Sequence, residues 1–348
     1  MDFDQKLQDL FSEAGKGSLF SKAVVGLLYP DGSRKVVSFN TTVNSVFDIA
    51  SLTKVCPTST LALKFILSDE LSLDTQVIEW IPELNTNYRE QILVRHLLTH
   101  SLDYRVPMSS LKNLPPQEIL NTLFSYQFEK APGTIFNYGN PASILLGLIL
   151  ARMKGKALNV LGEECFFAPL GMMRSGWNPL SRVLLEDIIP TEKCPWRGRD
   201  IQGEIHDESA HTLSALSPVG SAGMFSCIPD LLNFVQMILG DGEFEGRRMM
   251  PKGVLKMVST NALADTVPTE CTALGWELNA TKFMGTHAGQ HAFGKTGFTG
   301  ASIVADADRK AAVLLLSNFT WPTRESSPDR IHAFRAQLAD LFFQSLET

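Results

Sequence analysis

Cysteine is scarce and follows no pattern. Five residues (Cys56, Cys165, Cys194, Cys227 and Cys271) are scattered over 348, an odd number with no C-x-x-C spacing. This excludes a disulfide framework and a cysteine zinc site, and predicts reduced, mostly buried thiols in a cytosolic protein. No apolar run reaches the roughly eighteen residues of a membrane span. The first residues, Met1-Asp2-Phe3-Asp4-Gln5-Lys6-Leu7, lack both a basic segment and an apolar one. No signal peptide is therefore expected, and the cytoplasm is the expected location; a periplasmic or secreted protein would have had its leader removed. Positive charge is in deficit, with Lys plus Arg at 31 against Asp plus Glu at 37, a net −6. That argues against a nucleic-acid or anionic-membrane surface. Internal repeats and low-complexity tracts are absent, and the small-residue loop Pro218-Val219-Gly220-Ser221-Ala222-Gly223 lacks the Gly-Lys-Ser/Thr of a phosphate loop.

What is present is a packable chain, 44% apolar and 20% charged. Its length suits one large α/β body carrying a helical insertion. Apolar spacing predicts an amphipathic helix over 2–13, a hairpin from 23–28 and 35–39 around Pro30-Asp31-Gly32-Ser33, and a helix from Ser51 to about Leu67 with Pro57 awkwardly inside it. A helical turn over 77–81 and helices over 94–100, 117–128, 141–153 and 229–239 follow. The stretch from Pro195 to Glu208 reads as a surface loop, long enough to form a lip over a site. Strand patterns return over 274–279, 301–306 and 311–317, and an amphipathic helix over 331–346 closes the chain. Strands near both termini with helices between them predict an α/β (α+β) fold. One antiparallel sheet is made by both chain ends and flanked by terminal helices, with a mostly helical region inserted. The whole of 1–348 is taken as one catalytic domain, its sheet part near 1–50 and 270–348 and its helical part near 51–269.

Three short motifs carry chemistry. In Phe47-Asp48-Ile49-Ala50-Ser51-Leu52-Thr53-Lys54 a serine and a lysine stand three apart at a helix start. Positions i and i+3 share a face, so the Lys54 amine can reach the Ser51 hydroxyl, and a desolvated lysine can serve as the base that makes it nucleophilic. A serine that merely caps the helix has the same spelling. In Asn137-Tyr138-Gly139-Asn140, a tyrosine beside a cation can act as general base or proton shuttle, and the Asn140 amide can donate to a substrate carbonyl while accepting from a lysine. Tyr-x-Asn alone more often marks a tyrosine closing a core. In Gly294-Lys295-Thr296-Gly297-Phe298-Thr299-Gly300, glycines permit close approach, Lys295 offers charge to a substrate carboxylate or to the tyrosine, and Thr296 offers a hydroxyl. His96 and His100 share a helix face as a metal pair would. No third ligand stands near in sequence, so structural hydrogen bonding is their expected role.

Taken in order, Ser-x-x-Lys, Tyr-x-Asn and Lys-Thr-Gly resemble the motifs of the penicillin-recognising serine enzymes, β-lactamase/transpeptidase-like in fold. The tyrosine motif places the resemblance in their class C branch: class C β-lactamases, D-alanyl-D-alanine peptidases and β-lactamase-like esterases and amidases. Arg95-His96-Leu97-Leu98-Thr99-His100, Ser221-Ala222-Gly223 and Gly297-Phe298-Thr299-Gly300 are similar to recurrent segments of that family, so the likeness spans nearly the whole chain. It implies that Ser51 becomes acylated and that Lys54 and Tyr138 exchange its proton. It further implies that Asn140, Lys295 and Thr296 hold the substrate, and that the backbone N–H groups of Ser51 and Phe298 form the oxyanion hole. No metal or organic cofactor is implied. The substrate would be a small ester, amide, β-lactam or peptidoglycan fragment, with ester or amide hydrolysis ahead of β-lactamase action and an inactive sensor as the alternative of another class. Gly203-Glu204-Ile205-His206-Asp207-Glu208-Ser209-Ala210 resembles a signature of the family's amidases and some esterases. It could bring His206 or Asp207 to the cleft rim, or simply clasp a loop.

Overall fold

The computed structural model describes residues 3–325 and 327–347. Its central sheet has six antiparallel strands: β1 (Ala23–Leu28), β2 (Arg34–Phe39), β3 (Glu277–Leu278), β4 (Ala292–Thr296), β5 (Ser302–Asp306) and β6 (Ala311–Ser317). Their spatial order is β2-β1-β6-β5-β4-β3. The two ends of the chain meet in mid-sheet, where Ala23 lies opposite Ser317 and Leu28 opposite Ala312. Side-chain alternation then divides the core. Val25, Leu27, Val313 and Leu315 face the terminal helices α1 (Phe3–Lys16) and α5 (Asp329–Ser345), while Val24, Leu28, Leu314 and Leu316 face the helical region. Both faces are covered, so these strands read as continuous apolar runs. The helix expected over 2–13 starts at Phe3 and extends to Lys16; residue 2 lies outside the described residues.

The helical region contains α2 (Thr60–Leu67), α3 (Asn140–Lys154) and α4 (Ile228–Leu239). Helix α3 crosses the 218–224 loop where two glycines meet. A Cβ on Gly147 would stand 2.9 Å from the Gly220 nitrogen, and one on Gly220 would stand 2.3 Å from the Ser143 carbonyl oxygen. Only glycine lets the two backbones approach this closely, and that approach brings Asn140 toward the loop.

Three sequence expectations need correction. The helix expected over 51–67 is broken: a 3₁₀ turn (Ala50–Lys54) and a wide turn (Val55–Ser59) precede α2, and Cys56 is non-helical at φ −115°, ψ 97°. Pro57 has no N–H for a helical ladder, and the Thr60 hydroxyl takes up the Val55 carbonyl at 2.8 Å. The strand expected over 274–279 shrinks to Glu277–Leu278, because Gly275 sits at φ +90° and Thr272 folds back to bridge Glu277. The stretch expected as a surface loop from Pro195 to Glu208 opens inside a hairpin: its Arg199–Ile201 pairs with Glu192–Cys194 just before it, turned at Gly198 (φ +66°) and burying Glu192.

Helix α4 lies across β1 where the strand carries no side chain. A Cβ on Gly26 would come 2.5 Å from Ile228 Cγ2. We expect Gly26→Val to destabilise the fold by about 1–3 kcal/mol through overpacking, read as a lower denaturant midpoint with an unchanged slope; an unchanged midpoint would show that the helix yields freely.

Candidate active site

The strand pair Phe47–Asp48 and Phe225–Ser226 delivers the chain to a tight corner. Ala50 takes a left-handed conformation at φ +47°, held by its N–H donating to Asp48 Oδ1 at 2.7 Å. The 3₁₀ turn that follows eclipses residues three apart, so Ser51 and Lys54 lie one above the other. Lys54 Nζ donates to Ser51 Oγ at 2.9 Å, to Asn140 Oδ1 at 2.8 Å and to the Ser221 carbonyl at 2.8 Å. Three acceptors thus match the three N–H bonds of an ammonium. The side chain is fully buried. Desolvation lowers its pKa, with the Lys295 charge adding to the effect and Tyr138 and Asp207 opposing it; the net direction is down.

Tyr138 is carried on a loop whose Asn137 N–H donates to the His100 carbonyl at 2.8 Å. The residue as a whole is 42% exposed, yet its hydroxyl is turned inward, and Lys295 Nζ lies 4.1 Å and Lys54 Nζ 5.4 Å from the ring centre. Desolvation of the phenol would raise its pKa. The Lys295 and Lys54 charges and the Ser51 hydroxyl outweigh that and bring it below the ordinary tyrosine value. The His100 ring backs Tyr138 at 4.8 Å between centroids, and burial plus the same two lysines hold His100 neutral, its pKa well below the usual value. His96 turns elsewhere, its Nδ1 accepting the Leu93 N–H at 3.1 Å. Among the described residues, no group of three or more His, Cys, Asp or Glu side chains is arranged to hold a metal.

Lys295 and Thr296 end β4, in a strand of their own before β5. β3 pairs only with Phe293 and Gly294, so the ladder stops where the motif begins. Lys295 is buried and donates to Glu277 Oε1 at 3.2 Å. Desolvation works against its charge, but Tyr138 and Glu277 raise its pKa. Beyond the strand, Arg335 of α5 donates to the carbonyls of Gly297 and Ala301 at 2.8 and 2.9 Å, and Thr299 Oγ donates to the Asp48 carbonyl at 2.6 Å. The Phe298 backbone is thereby tied to the corner that holds Ser51.

The structure thus brings Ser51, Lys54, Tyr138, Asn140 and Lys295 into one crevice, with Thr296 and Phe298 along its wall. His206 is not a rim residue. It is buried, its N–H donates to Asp48 Oδ2 at 2.8 Å, its Nε2 lies 3.1 Å from Glu192 Oε2, and its ring stacks beneath Phe298. Asp207 instead accepts from Asn140 Nδ2 at 3.0 Å. The turn that carries Ser51 is only five residues long, too short to bring the dipole of a long helix to the hydroxyl. Sequence reasoning missed Asp48, Glu277, Thr299 and the Ser221 carbonyl. Asp48 adjoins the first motif and could have been read as its buried anchor, whereas Glu277 carries no local signal.

A sequence model of the β-lactamase family matches residues 23–338. The N-acetylmuramyl-L-alanine amidase of Bacillus subtilis (strain 168) is 25% identical over 305 residues, covering 79% of this chain and 68% of that protein. Among solved structures, the β-lactamase/D-alanine carboxypeptidase of Pseudomonas syringae is similar with a TM-score of 0.75 at 19% identity, covering 99% of both chains. EstCE1, a hydrolase with promiscuous acyltransferase activity, gives a TM-score of 0.75 at 19% identity and covers 98% of both chains.

The buried cluster behind Phe298 generates a stability prediction. Arg324 donates to both Glu192 carboxylate oxygens at 2.7 and 2.6 Å. Burial alone would raise the Glu192 pKa, but Arg324 and His206 bring it down to about 2. A depressed carboxylate contributes stability that is complete above its unfolded value and lost as pH falls toward its folded value. The melting-temperature gap between wild type and Glu192→Gln should therefore be widest above about pH 5 and narrow steadily toward pH 2. A gap independent of pH would remove Glu192 ionisation from the account.

Proposed function

The chain belongs to the β-lactamase family, and on that premise we propose that it is a serine hydrolase acylated on Ser51 by small esters or amides, with cell-wall-derived fragments as the favoured amide substrates. The single observation that carries this reading is the 2.9 Å contact between Lys54 Nζ and Ser51 Oγ, inside a site where both Lys54 and Tyr138 are more easily deprotonated than usual. Ser51 Oγ attacks the substrate carbonyl while its proton passes to the Lys54–Tyr138 pair, and the leaving alcohol or amine takes that proton as it departs. Water then attacks the ester on Ser51, activated by the same pair, and restores the hydroxyl. The backbone N–H groups of Ser51 and Phe298 receive the developing oxyanion. Asn140, Lys295 and Thr296 position the substrate. The amide preference is supported by the similarity to the Bacillus subtilis amidase.

A second reading, β-lactam hydrolysis, draws on Lys295 and Thr296 as a wall for a substrate carboxylate. Glu277 stands against it, since its carboxylate already occupies Lys295 at 3.2 Å.

A fluorophosphonate probe should add covalently to the wild type and not to Ser51→Ala, as read by intact mass. Lys54→Ala should lose about 10²–10⁴-fold in labelling rate by removal of the proton acceptor. A p-nitrophenyl ester, nitrocefin and a muramyl-alanine peptide assayed side by side then rank the substrates. No adduct and no turnover of any of the three would convert the protein into a binding or sensor member of its family.

The pH profile follows from the same electrostatics. kcat/KM on an uncharged ester should rise with pH as the Lys54–Tyr138 pair loses a proton, and fall again where Lys295 discharges; the midpoints belong to the coupled set. Lys295→Met removes a positive charge that lowers both Lys54 and Tyr138. Its rising limb should move to higher pH, and an unmoved limb would refute the coupling.

A further inference from the structure

The similarity to the amidase signature does not say what Asp207 does, but its contacts do. Its two carboxylate oxygens are divided between two tasks. Oδ1 accepts from the Ala210 N–H at 2.7 Å and from Ser209 Oγ at 2.7 Å, capping the short helix Glu208–Leu213. Oδ2 accepts from Asn140 Nδ2 at 3.0 Å, while Asn140 Oδ1 accepts from Lys54 Nζ at 2.8 Å. A primary amide can rotate by half a turn and exchange its oxygen for its nitrogen. A carboxylate can only accept, so Asp207 admits the amide in one orientation: oxygen toward the lysine, nitrogen toward itself.

We infer that Asp207 is a positioning residue for the acylation step, acting through Asn140 on Lys54. It locks the Asn140 amide so that an acceptor always faces the proton-transferring amine, and it directs the second Asn140 N–H, left unused by Asp207, toward the substrate. It also sets a negative charge one side chain away from Lys54. The groups facing Lys54 from the surrounding elements are Tyr138, Lys295, His100 and Asp207, and Glu277 faces Tyr138 and Lys295. Asp207 is the only one of these on the 200–210 segment. Asp207 supports the lysine's positive form, while Lys295 works against it. With an amide in place of the Asp207 carboxylate, that support is gone and Asn140 is free to turn its nitrogen toward Lys54. Both effects favour the neutral amine.

The inference rests on the hydrolase reading, so its test has two readouts. Asp207→Asn and Asp207→Ser each keep an oxygen able to cap the 208–213 helix, and cooperative melting of either one suffices to proceed. First, the Lys54 side chain is titrated by NMR in lysine-labelled protein, independently of any activity. Its midpoint should move to lower pH in the variant. Second, the plateau of fluorophosphonate labelling should fall on the order of ten- to a hundredfold from loss of alignment, while its acid limb moves to lower pH; Asp207→Glu should recover part of the plateau. An unmoved Lys54 midpoint together with a plateau within twofold of wild type would overturn the inference while leaving the hydrolase reading intact. A shifted midpoint in a protein that never labels would support the positioning role and defeat the hydrolase reading.

Discussion

Two lysine side chains, Lys54 and Lys295, are buried on either side of one phenol. Placing a single ammonium away from water is costly, and two facing each other cost more unless acceptors surround them. The site meets that demand asymmetrically. Lys295 has a carboxylate of its own, Glu277, whose pKa burial would raise but which Lys295 and Lys282 hold low. Lys54 donates to neutral acceptors, a hydroxyl, an amide and a carbonyl, beside the Tyr138 phenol, and the Asp207 carboxylate stands one residue removed behind Asn140. The outcome is two amines of the same chemical kind with opposite pKa shifts, one up and one down. Proton transfer at neutral pH calls for that separation: one charge that stays and one that can leave.

The fold creates this arrangement by bringing four distant stretches to one end of the sheet. The corner after Phe47–Asp48 supplies Ser51 and Lys54, the turn before α3 supplies Tyr138, the first residue of α3 is Asn140, and β4 supplies Lys295. The fourth stretch, residues 206–221, supplies no group in direct contact with the Ser51 hydroxyl. It contributes the Ser221 carbonyl, the Asp207 carboxylate and the His206 N–H, all of them constraints on the others.

Strands β1, β2, β5 and β6 and both terminal helices are legible from short apolar runs bounded by turns and from helical periodicity, because strands covered on both faces and long amphipathic helices leave strong patterns. By contrast β4, which carries Lys295, is not read as a strand from the sequence. The three motifs also named the five residues that converge. What remained hidden has physical causes. The break at Cys56 is invisible to periodicity, since the apolar spacing continues through it and only Pro57 hints at a change. The strand pattern over 274–279 does not show that only Glu277 and Leu278 pair with β4, so Glu277, the counter-ion of Lys295, could not be singled out among the other acids. His206 and Asp207 stand out in the sequence as a pair, but adjacent residues point in different directions, and sequence alone does not say which one reaches Asn140 and which one is buried behind Phe298.

That division explains how the walls of the crevice keep their spacing. Asp48 is buried, and burial raises its pKa, with the His206 and Ala50 N–H bonds as the opposing contacts. One carboxylate oxygen holds Ala50 in the strained conformation ahead of Ser51, the other takes the His206 N–H, and the carbonyl of the same residue takes the Thr299 hydroxyl. Ser51 and Phe298, the two backbone donors assigned to the oxyanion, are thus each within three residues of a direct bond to Asp48. A shift of either wall breaks a buried hydrogen bond to Asp48 and leaves a desolvated polar group unpaired. The exposed Phe298 ring resting on His206 adds a third side to the clasp. The loop after β4 therefore keeps an open edge at Phe298 while its distance from the Ser51 corner is fixed by the bonds to Asp48.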